Sequence, residues 1–237
     1  MVFNRSWFPN SLTIGSLLCG FAAIVLTAKG ENIYPNALWL LFIASWLDIF
    51  DGGLARIMHI DSPFGRQLDA LSDVVTFAIA PALLMLVYSL QLAGWVGFLA
   101  SAAFVCCGVG RLARYTTQVT QAKRAHFVGM PIGISGIFAG LIVVYLGTSY
   151  ALLAAILVLA ISLLMISTIP FPTPGQIAFQ TPIPVRLVLA GIWIFGMLRL
   201  ETWLLMPLSY FIYGVLQNLV VRLRPATMQQ PLEVGGK

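Results

Sequence analysis

Charge is what this sequence has least of. Its 237 residues include 13 Lys and Arg and 8 Asp and Glu, so charged side chains make up 9% of the chain, against about a quarter in an average soluble domain. Hydrophobic residues make up 59%, and the mean hydropathy is +0.94. A surface so poor in charge excludes an ordinary soluble enzyme, a disordered chain and a nucleic-acid-binding protein. The composition indicates a protein of the lipid bilayer.

Histidine and cysteine are also scarce, with two His and three Cys in the whole chain. Cys19, Cys106 and Cys107 all lie in long apolar stretches, and the adjacent pair does not have the spacing of metal ligands. We interpret them as small packing residues. We interpret His59 and His126 as interfacial loop histidines, because no second His or Cys forms a ligand set with either.

Long apolar runs predict an all-α, polytopic membrane protein with six to eight transmembrane helices. A spanning helix needs about 20 mostly apolar residues, and the runs show none of the period-two alternation of a barrel strand. We expect the first run to be a retained helix, because Leu26 and Ala28 form a poor signal-cleavage site. The predicted spans are 11–28, 36–57, 67–88, 94–111, 132–148, 150–168, 185–199 and 203–221.

The basic residues predict the orientation. With eight helices and a cytoplasmic N-terminus, eleven of the 13 Lys and Arg lie on the cytoplasmic side, as the positive-inside rule requires. We therefore expect a cell-membrane protein with both termini in the cytoplasm, and no nucleic-acid partner for the net charge of +5. We expect one transmembrane catalytic domain, 1–224, and a polar C-terminal tail, 225–237. The proline-rich stretch 169–186 predicts an extended connector.

The acids are concentrated in one short window: five of the eight lie between residues 48 and 73. Asp48 and Asp51 share a face of the second predicted helix, and Asp69 and Asp73 share a face at the start of the third. These helices are antiparallel neighbours joined by a short loop, so the two pairs can meet near the cytoplasmic interface. Ionised aspartate is costly in a membrane helix and usually marks function.

Four carboxylates that converge in a poorly solvated site need a compensating cation. Hard divalent ions such as Mg²⁺ or Mn²⁺ prefer oxygen ligands, and two such ions could bridge the four groups. Gly52 and Ala55 leave a small helix face that a ligand can approach, Arg56 can pair with a phosphate, and Gly65 lies just before Asp69. Together these residues predict a pyrophosphate or phosphodiester site.

The alternative from a different class is a cation or proton transporter, since transporters also use membrane carboxylates. That hypothesis explains the acids but leaves Gly52, Arg56 and Gly65 unexplained as a set. A purely structural role, in which an aspartate bonds one helix to another, suits a single residue better than four residues on two facing helices.

The 26 residues from 48 to 73 resemble the signature of the CDP-alcohol phosphotransferase family, with every fixed position present. The pattern reads Asp48-x2-Asp51-Gly52-x2-Ala55-Arg56-x8-Gly65-x3-Asp69-x3-Asp73. Other stretches resemble the phosphatidylserine synthases within this family. They are Pro9-Asn10-x2-Thr13, Arg111-Leu112-Ala113-Arg114-Tyr115 and Phe127-x-Gly129-Met130-Pro131. Ser16 and Gly133 depart from that pattern and bear on the choice of acceptor.

The resemblance implies a helical bundle of that family, in which CDP-diacylglycerol keeps its acyl chains in the bilayer and its CDP in a cytoplasmic cavity. Asp48, Asp51 and Asp69 would hold metal, with Asp73 at a second ion. Asp73 would also be the general base that takes the proton of the acceptor hydroxyl. The implied nucleotide contacts are Gly52, Ala55, Arg56, Gly65, Asn10 and Thr13.

The acceptor implied by the resemblance is L-serine, with glycerol phosphate, inositol phosphate or another alcohol as alternatives. Its carboxylate, or a lipid phosphate, would be bound by basic residues beside the site. The candidates are Arg111, Arg114, Lys123 and Arg124. We prefer Arg114, which follows Arg111 by one helical turn, although the positive-inside rule explains each of these charges equally well. The family also suggests a homodimer.

Overall fold

The computed structural model describes residues 7–30, 34–58, 62–119, 126–172, 181–198 and 203–223. Within these ranges the chain is helical except for short turns and two three-residue strands. A π-helical turn, Val74–Ile79, joins α3 to α4, and a 3₁₀ turn, Leu90–Ala93, precedes α5. The helices are α1 (Trp7–Lys29), α2 (Tyr34–Ile57), α3 (Pro63–Asp73), α4 (Ala80–Tyr88), α5 (Trp95–Val119), α6 (Ile132–Leu146), α7 (Ala151–Ile166), α8 (Ile183–Leu198) and α9 (Leu205–Leu223).

The predicted all-α membrane class is confirmed. In the described part of the chain, four helical stretches are long and apolar enough to cross a membrane. They are Trp7–Lys29, Tyr34–Ile57, Pro63–Tyr88 and Trp95–Thr117. Four shorter apolar helices follow, at Ile132–Leu146, Ala151–Ile166, Ile183–Trp193 and Leu205–Gln217. Each of the eight predicted spans overlaps one of these stretches.

Helix α3 begins four residues before its predicted start at residue 67. Ser62 caps the helix, since its side-chain oxygen accepts a hydrogen bond from the Gly65 backbone N–H at 3.3 Å. Pro63 occupies the first helical turn, where its missing N–H costs nothing. These two residues place the start of α3 beside the cluster of acids.

A short β ribbon replaces part of the predicted extended connector. Strand β1 (His126–Val128) pairs antiparallel with β2 (Pro170–Pro172), with Phe127 opposite Phe171. Gly129 ends the first strand with a φ of 80°, and a Cβ there would lie 2.2 Å from the Met165 carbonyl oxygen. Only glycine fits this turn. The ribbon therefore packs directly against the end of α7.

Helix α1 packs against both helices that carry the acids, and hydroxyl groups bond it to each of them. The Ser16 hydroxyl donates to the Ala44 carbonyl of α2 at 3.1 Å, and the Ser72 hydroxyl of α3 donates to the Thr13 carbonyl at 3.2 Å. Thr76, in the π turn, donates to the Ser16 carbonyl at 3.4 Å. Helices in a bilayer lack a hydrophobic drive to associate, so such bonds and close packing hold them together.

Gly20 lies where α1 approaches the π turn most closely, and it provides a test of the helix packing. A Cβ at Gly20 would lie 2.6 Å from the Thr76 hydroxyl and 2.8 Å from the Thr76 Cα. We expect Gly20→Ala to destabilise the protein by about 1–3 kcal/mol, as overpacking does, and to lower the midpoint of thermal unfolding in detergent. In Gly191→Ala the new Cβ meets nothing within 4 Å, so this control should unfold at or above the wild-type temperature. Equal midpoints for the two variants would contradict the close packing of α1 on the π turn.

Candidate active site

The structure brings the four predicted carboxylates together where the C-terminal half of α2 faces the C-terminal half of α3. Carboxylate oxygens of Asp48, Asp51 and Asp69 all lie within 4.8 Å of one another. The Asp48 side chain is also within hydrogen-bonding range of both Asp69 and Asp73. Asp51 is only 5% exposed. The helical spacing predicted this convergence, and the structure shows it.

The donor set fits a hard divalent cation. All four groups are carboxylates, and like charges this close need a positive partner in a poorly solvated site. Oxygen-only ligands suit Mg²⁺ or Mn²⁺ rather than a metal that prefers nitrogen or sulfur. Asp48, Asp51, Asp69 and Asp73 are therefore the residues that could hold metal.

The π turn starts at the residue after Asp73, so the helix changes its hydrogen-bond pattern at the site itself. Such turns occur frequently at functional sites. The sequence carries no signal for it, since Val74–Ile79 reads as ordinary apolar helix.

Thr13 contacts the carboxylate cluster directly. Its hydroxyl donates to Asp51 Oδ2 at 2.5 Å, and the Pro9 carbonyl lies 3.3 Å from the same hydroxyl. Because the Thr13 carbonyl also accepts from Ser72, this one residue ties Asp51 of α2 to the helix that carries Asp69. The resemblance implied a nucleotide contact for Thr13, and the structure adds this contact with Asp51.

A cavity of about 170 Å³ opens beside the cluster. Seven of the predicted site residues line it: Asn10, Thr13, Asp51, Gly52, Ala55, Gly65 and Asp69. A Cβ at Gly52 would approach no neighbour more closely than the Arg56 guanidinium, at 4.0 Å, whereas one at Gly65 would lie 3.0 Å from Asn10 Oδ1. Gly52 thus leaves open space for a ligand, and Gly65 allows α1 to approach α3.

Pro9, Ser62 and Arg66 also line the cavity, and none of them was among the predicted site residues. Arg66 precedes Asp69 by one helical turn, a spacing that could have identified it. Its charge also fits the positive-inside rule. Because Arg66 lines the same cavity as Asp51 and Asp69, its positive charge lies near their carboxylates.

Arg56 lies outside the residues that line the cavity. Its guanidinium folds back along α2, where Nε donates to the Gly52 carbonyl at 2.8 Å. The side chain is exposed. A phosphate contact for Arg56 stays a prediction.

Arg111 and Arg114 lie one turn apart on α5 but have different surroundings. Arg111 is 6% exposed and interacts electrostatically with Asp73 and Tyr210. Tyr210 was not among the predicted site residues, because it lies in α9, about a hundred residues further along the chain. The structure therefore buries Arg111 within electrostatic range of Asp73.

The Arg114 guanidinium binds backbone carbonyls. Nη1 donates to Ile166 at 2.8 Å, and Nη2 donates to Val128 at 2.8 Å. The carbonyls of Met165 and Ser167 lie 3.4 and 3.3 Å from Nη2. Arg114 thereby satisfies orphan carbonyls at the end of α7 and joins that helix to β1. An acceptor role for Arg114 stays a prediction, and Lys123 and Arg124 lie outside the described residues.

Residues 6–169 match the family described as CDP-alcohol phosphatidyltransferase. This match covers well over half of the chain, and the chain belongs to that family.

Curated relatives share most of this length. The CDP-diacylglycerol–serine O-phosphatidyltransferase of Bacillus subtilis is 36% identical over 168 residues, which are 70% of this chain and 90% of that protein. The protein with the same name from Helicobacter pylori strain 26695 is 29% identical over 224 residues, 92% of this chain and 93% of its own. The archaetidylserine synthase of Methanothermobacter thermautotrophicus is 32% identical over 167 residues, 69% of each chain.

The contact between Thr13 and Asp51 can be tested through metal affinity. We expect Thr13→Val to weaken Mn²⁺ binding about tenfold or more, the usual cost of losing a residue that orients a metal ligand, whereas Thr13→Ser should bind nearly as the wild type does. Calorimetric titration of the detergent-solubilised protein measures both.

Thr27→Val is the matched control for this experiment. The Thr27 hydroxyl is buried in the same helix and donates to the Ala23 carbonyl at 2.8 Å. If Thr27→Val and Thr13→Val changed Mn²⁺ affinity equally, the loss would come from α1 as a whole. The specific role of Thr13 would then be wrong.

Proposed function

We propose that this protein transfers the phosphatidyl group of CDP-diacylglycerol to the hydroxyl of L-serine and releases CMP, a step of phospholipid biosynthesis. The observation that carries the proposal is the cluster of four aspartates, two of which, Asp51 and Asp69, line a cavity together with small residues and Arg66. The family supports the reaction, and the names of the relatives support the acceptor.

The reaction exchanges one phosphorus–oxygen bond for another. The serine hydroxyl oxygen bonds to the phosphorus that carries diacylglycerol, the bond from that phosphorus to the bridging oxygen breaks, and CMP leaves with that oxygen. Asp73 accepts the hydroxyl proton as general base. No side chain of the cluster is a good covalent nucleophile, which favours a single displacement.

Asp48, Asp51 and Asp69 would hold a divalent cation, and Asp73 would contact a second one. We propose Mg²⁺ or Mn²⁺, which when bound would neutralise the pyrophosphate and the charge that develops on CMP. The chain's own contribution is to orient the substrate. Gly52 and Ala55 admit the nucleotide, and Arg66 supplies a positive charge beside the phosphates.

For the acceptor carboxylate we favour Arg111 over Arg114. Arg111 is buried within electrostatic range of Asp73, so a serine whose carboxylate bound Arg111 could direct its hydroxyl toward the base. The Arg114 guanidinium is directed at the backbone carbonyls around the end of α7. An acceptor with a phosphate, such as glycerol phosphate or inositol phosphate, could use the same cation and is the alternative within the family.

Cation or proton transport is less well supported, because transport does not account for the cavity with Gly52 and Gly65 in its wall. The family assignment also favours a transferase.

We further propose that the protein lies in the cell membrane with both termini and the site on the cytoplasmic side. The distribution of Lys and Arg supports this orientation. The proposed catalytic domain is 1–224, followed by the polar tail 225–237, which lies outside the described residues. Assembly as a homodimer is part of the same proposal, as is contact with membrane lipids.

The reaction is tested by CMP release from CDP-diacylglycerol in detergent with a panel of acceptors. We expect release to require Mn²⁺ or Mg²⁺, to stop on addition of EDTA, and to be faster with L-serine than with glycerol phosphate or inositol phosphate. Preference for another acceptor would leave the family reaction in place and replace serine. No release with any hydroxyl acceptor, together with ion flux in liposomes, would favour the transporter.

Asp73→Asn tests the general base. We expect turnover to fall by about 10²–10⁴-fold, the typical contribution of such a base, with little change in the unfolding temperature. Glu233→Gln removes one carboxylate from the predicted tail and should be fully active. Near-normal turnover in Asp73→Asn would rule out Asp73 as the base.

A further inference from the structure

The helix that carries Asp73 runs without a break over Pro63–Tyr88, although its hydrogen bonding changes on the way. At the two ends of the π turn, Asp73 has φ −58° and ψ −39°, and Ile79 has φ −73° and ψ −49°, which are ordinary helical values. The Ala80 N–H donates to the Val75 carbonyl, five residues back, whereas an α-helix bonds four residues back. The π turn therefore sets how α3 is rotated relative to α4 within one continuous helix.

One row of side chains on this helix, at every fourth position, lies toward α1. The Ser72 and Thr76 hydroxyls donate to carbonyls of α1, and Ala80 and Leu84 belong to a buried cluster with Ala23 of α1. In an α-helix every fourth residue advances by about 40° around the axis, so three such steps would turn the row about a third of a circle away from α1. The wider π turn offsets this drift, because each of its residues turns the helix through a smaller angle.

The rotation of α3 decides whether its carboxylates meet those of α2. A π turn accommodates one residue more than an α-helix of the same span. If the same residues formed an ordinary α-helix, α3 would rotate by about 100° and shift by about 1.5 Å relative to α4. Asp69 would then leave the group of oxygens that it forms with Asp48 and Asp51, or α4 would leave its place against α1.

Pro81 comes two residues after the π turn and is buried. In an α-helix residue 81 would donate to the Phe77 carbonyl, which a proline cannot do, and its ring would clash with that carbonyl. A proline by itself predicts only a kink, and here α6 packs directly on both groups. A Cβ at Gly136 would lie 2.9 Å from the Phe77 carbonyl oxygen and 3.2 Å from Pro81 Cγ. The helix thus widens at this point while it stays in contact with α6.

We propose that Pro81 is a positioning residue for the carboxylates that would bind metal. By withholding a backbone donor it keeps the π turn open, and the π turn holds α3 at the rotation that brings Asp69 and Asp73 to face α2. This inference rests on the proposed metal site and does not depend on which alcohol is the acceptor.

The experiment compares Pro81→Ala with Pro35→Ala in the full-length protein in detergent, without substrate. Alanine at position 81 restores the N–H, so an ordinary α-helix can form through the turn. We expect Pro81→Ala to bind Mn²⁺ about tenfold more weakly or worse in a calorimetric titration. Its midpoint of thermal unfolding should equal or exceed that of the wild type, because alanine is the better helix former.

Pro35→Ala is the matched control for this substitution. Pro35 is exposed in the first turn of α2, where a missing N–H costs nothing. This variant should bind Mn²⁺ as the wild type does.

The combination of weaker binding with undiminished stability distinguishes a positioning role from a merely structural one. A proline that only supported the fold would, when replaced, lower the Mn²⁺ affinity and the unfolding midpoint together, and that result would overturn the proposal. Unchanged Mn²⁺ affinity in Pro81→Ala would overturn it too.

Deletion of Val75 in the Pro81→Ala background tests the π turn directly. An α-helix with one residue fewer gives nearly the same rotation as the π turn, so the double variant should recover most of the Mn²⁺ affinity that Pro81→Ala loses. A double variant that binds Mn²⁺ no better than Pro81→Ala would mean that Pro81 does not act through the rotation of α3.

Failure of this inference is distinguishable from failure of the proposed function, because Mn²⁺ binding is measured without substrate. A wild type that binds Mn²⁺ but releases no CMP with any acceptor would overturn the transferase, and the two proline variants would still decide the role of Pro81. A wild type that binds no Mn²⁺ would overturn the metal site and this inference together.

Discussion

Repulsion among four carboxylates in a poorly solvated interior is the constraint on which the rest of this structure depends. An ionised aspartate taken out of water is costly unless it is paired and hydrogen-bonded. Asp48, Asp51 and Asp69 nevertheless lie within 4.8 Å of one another. The Thr13 hydroxyl on Asp51 and the guanidinium near Asp73 offset part of this cost. The remainder would favour the binding of a hard cation, so the same repulsion that opposes folding would favour the proposed chemistry.

Helix α1 holds the two helices of the cluster in place. Apolar side chains bring little net attraction between helices in a bilayer, where lipid tails are equally apolar. Hydroxyl groups of Ser16, Ser72 and Thr76 therefore bond α1 to its neighbours, and Gly20 lets the backbones approach. Ser16 departs from the family pattern, and the structure gives it this packing role. The link to function is direct, because a small shift of α1 would change the distance between the two pairs of aspartates.

In the second half of the chain, side chains that bind backbone atoms hold the elements together. A ribbon of two three-residue strands joins the end of α7 to α9. Arg114 binds the carbonyls around that junction, and Tyr210 bonds to the ribbon at Pro172. These contacts are mostly to backbone atoms and so depend little on the identity of the residues bound. The Tyr210 hydroxyl thereby ties α9 to the ribbon.

The sequence by itself determined the membrane class, the approximate helices and the meeting of the aspartates, because helical periodicity and hydropathy act over a few neighbouring residues. It also determined most of the cavity wall, since glycine and alanine at fixed spacing on a helix leave one face open. Tertiary structure alone decided what no local pattern encodes: the π turn after Asp73, the ribbon, and the different surroundings of Arg111 and Arg114. Those two arginines lie one turn apart on the same helix, yet carbonyls at the end of α7 bind Arg114, whereas Arg111 is buried within electrostatic range of Asp73.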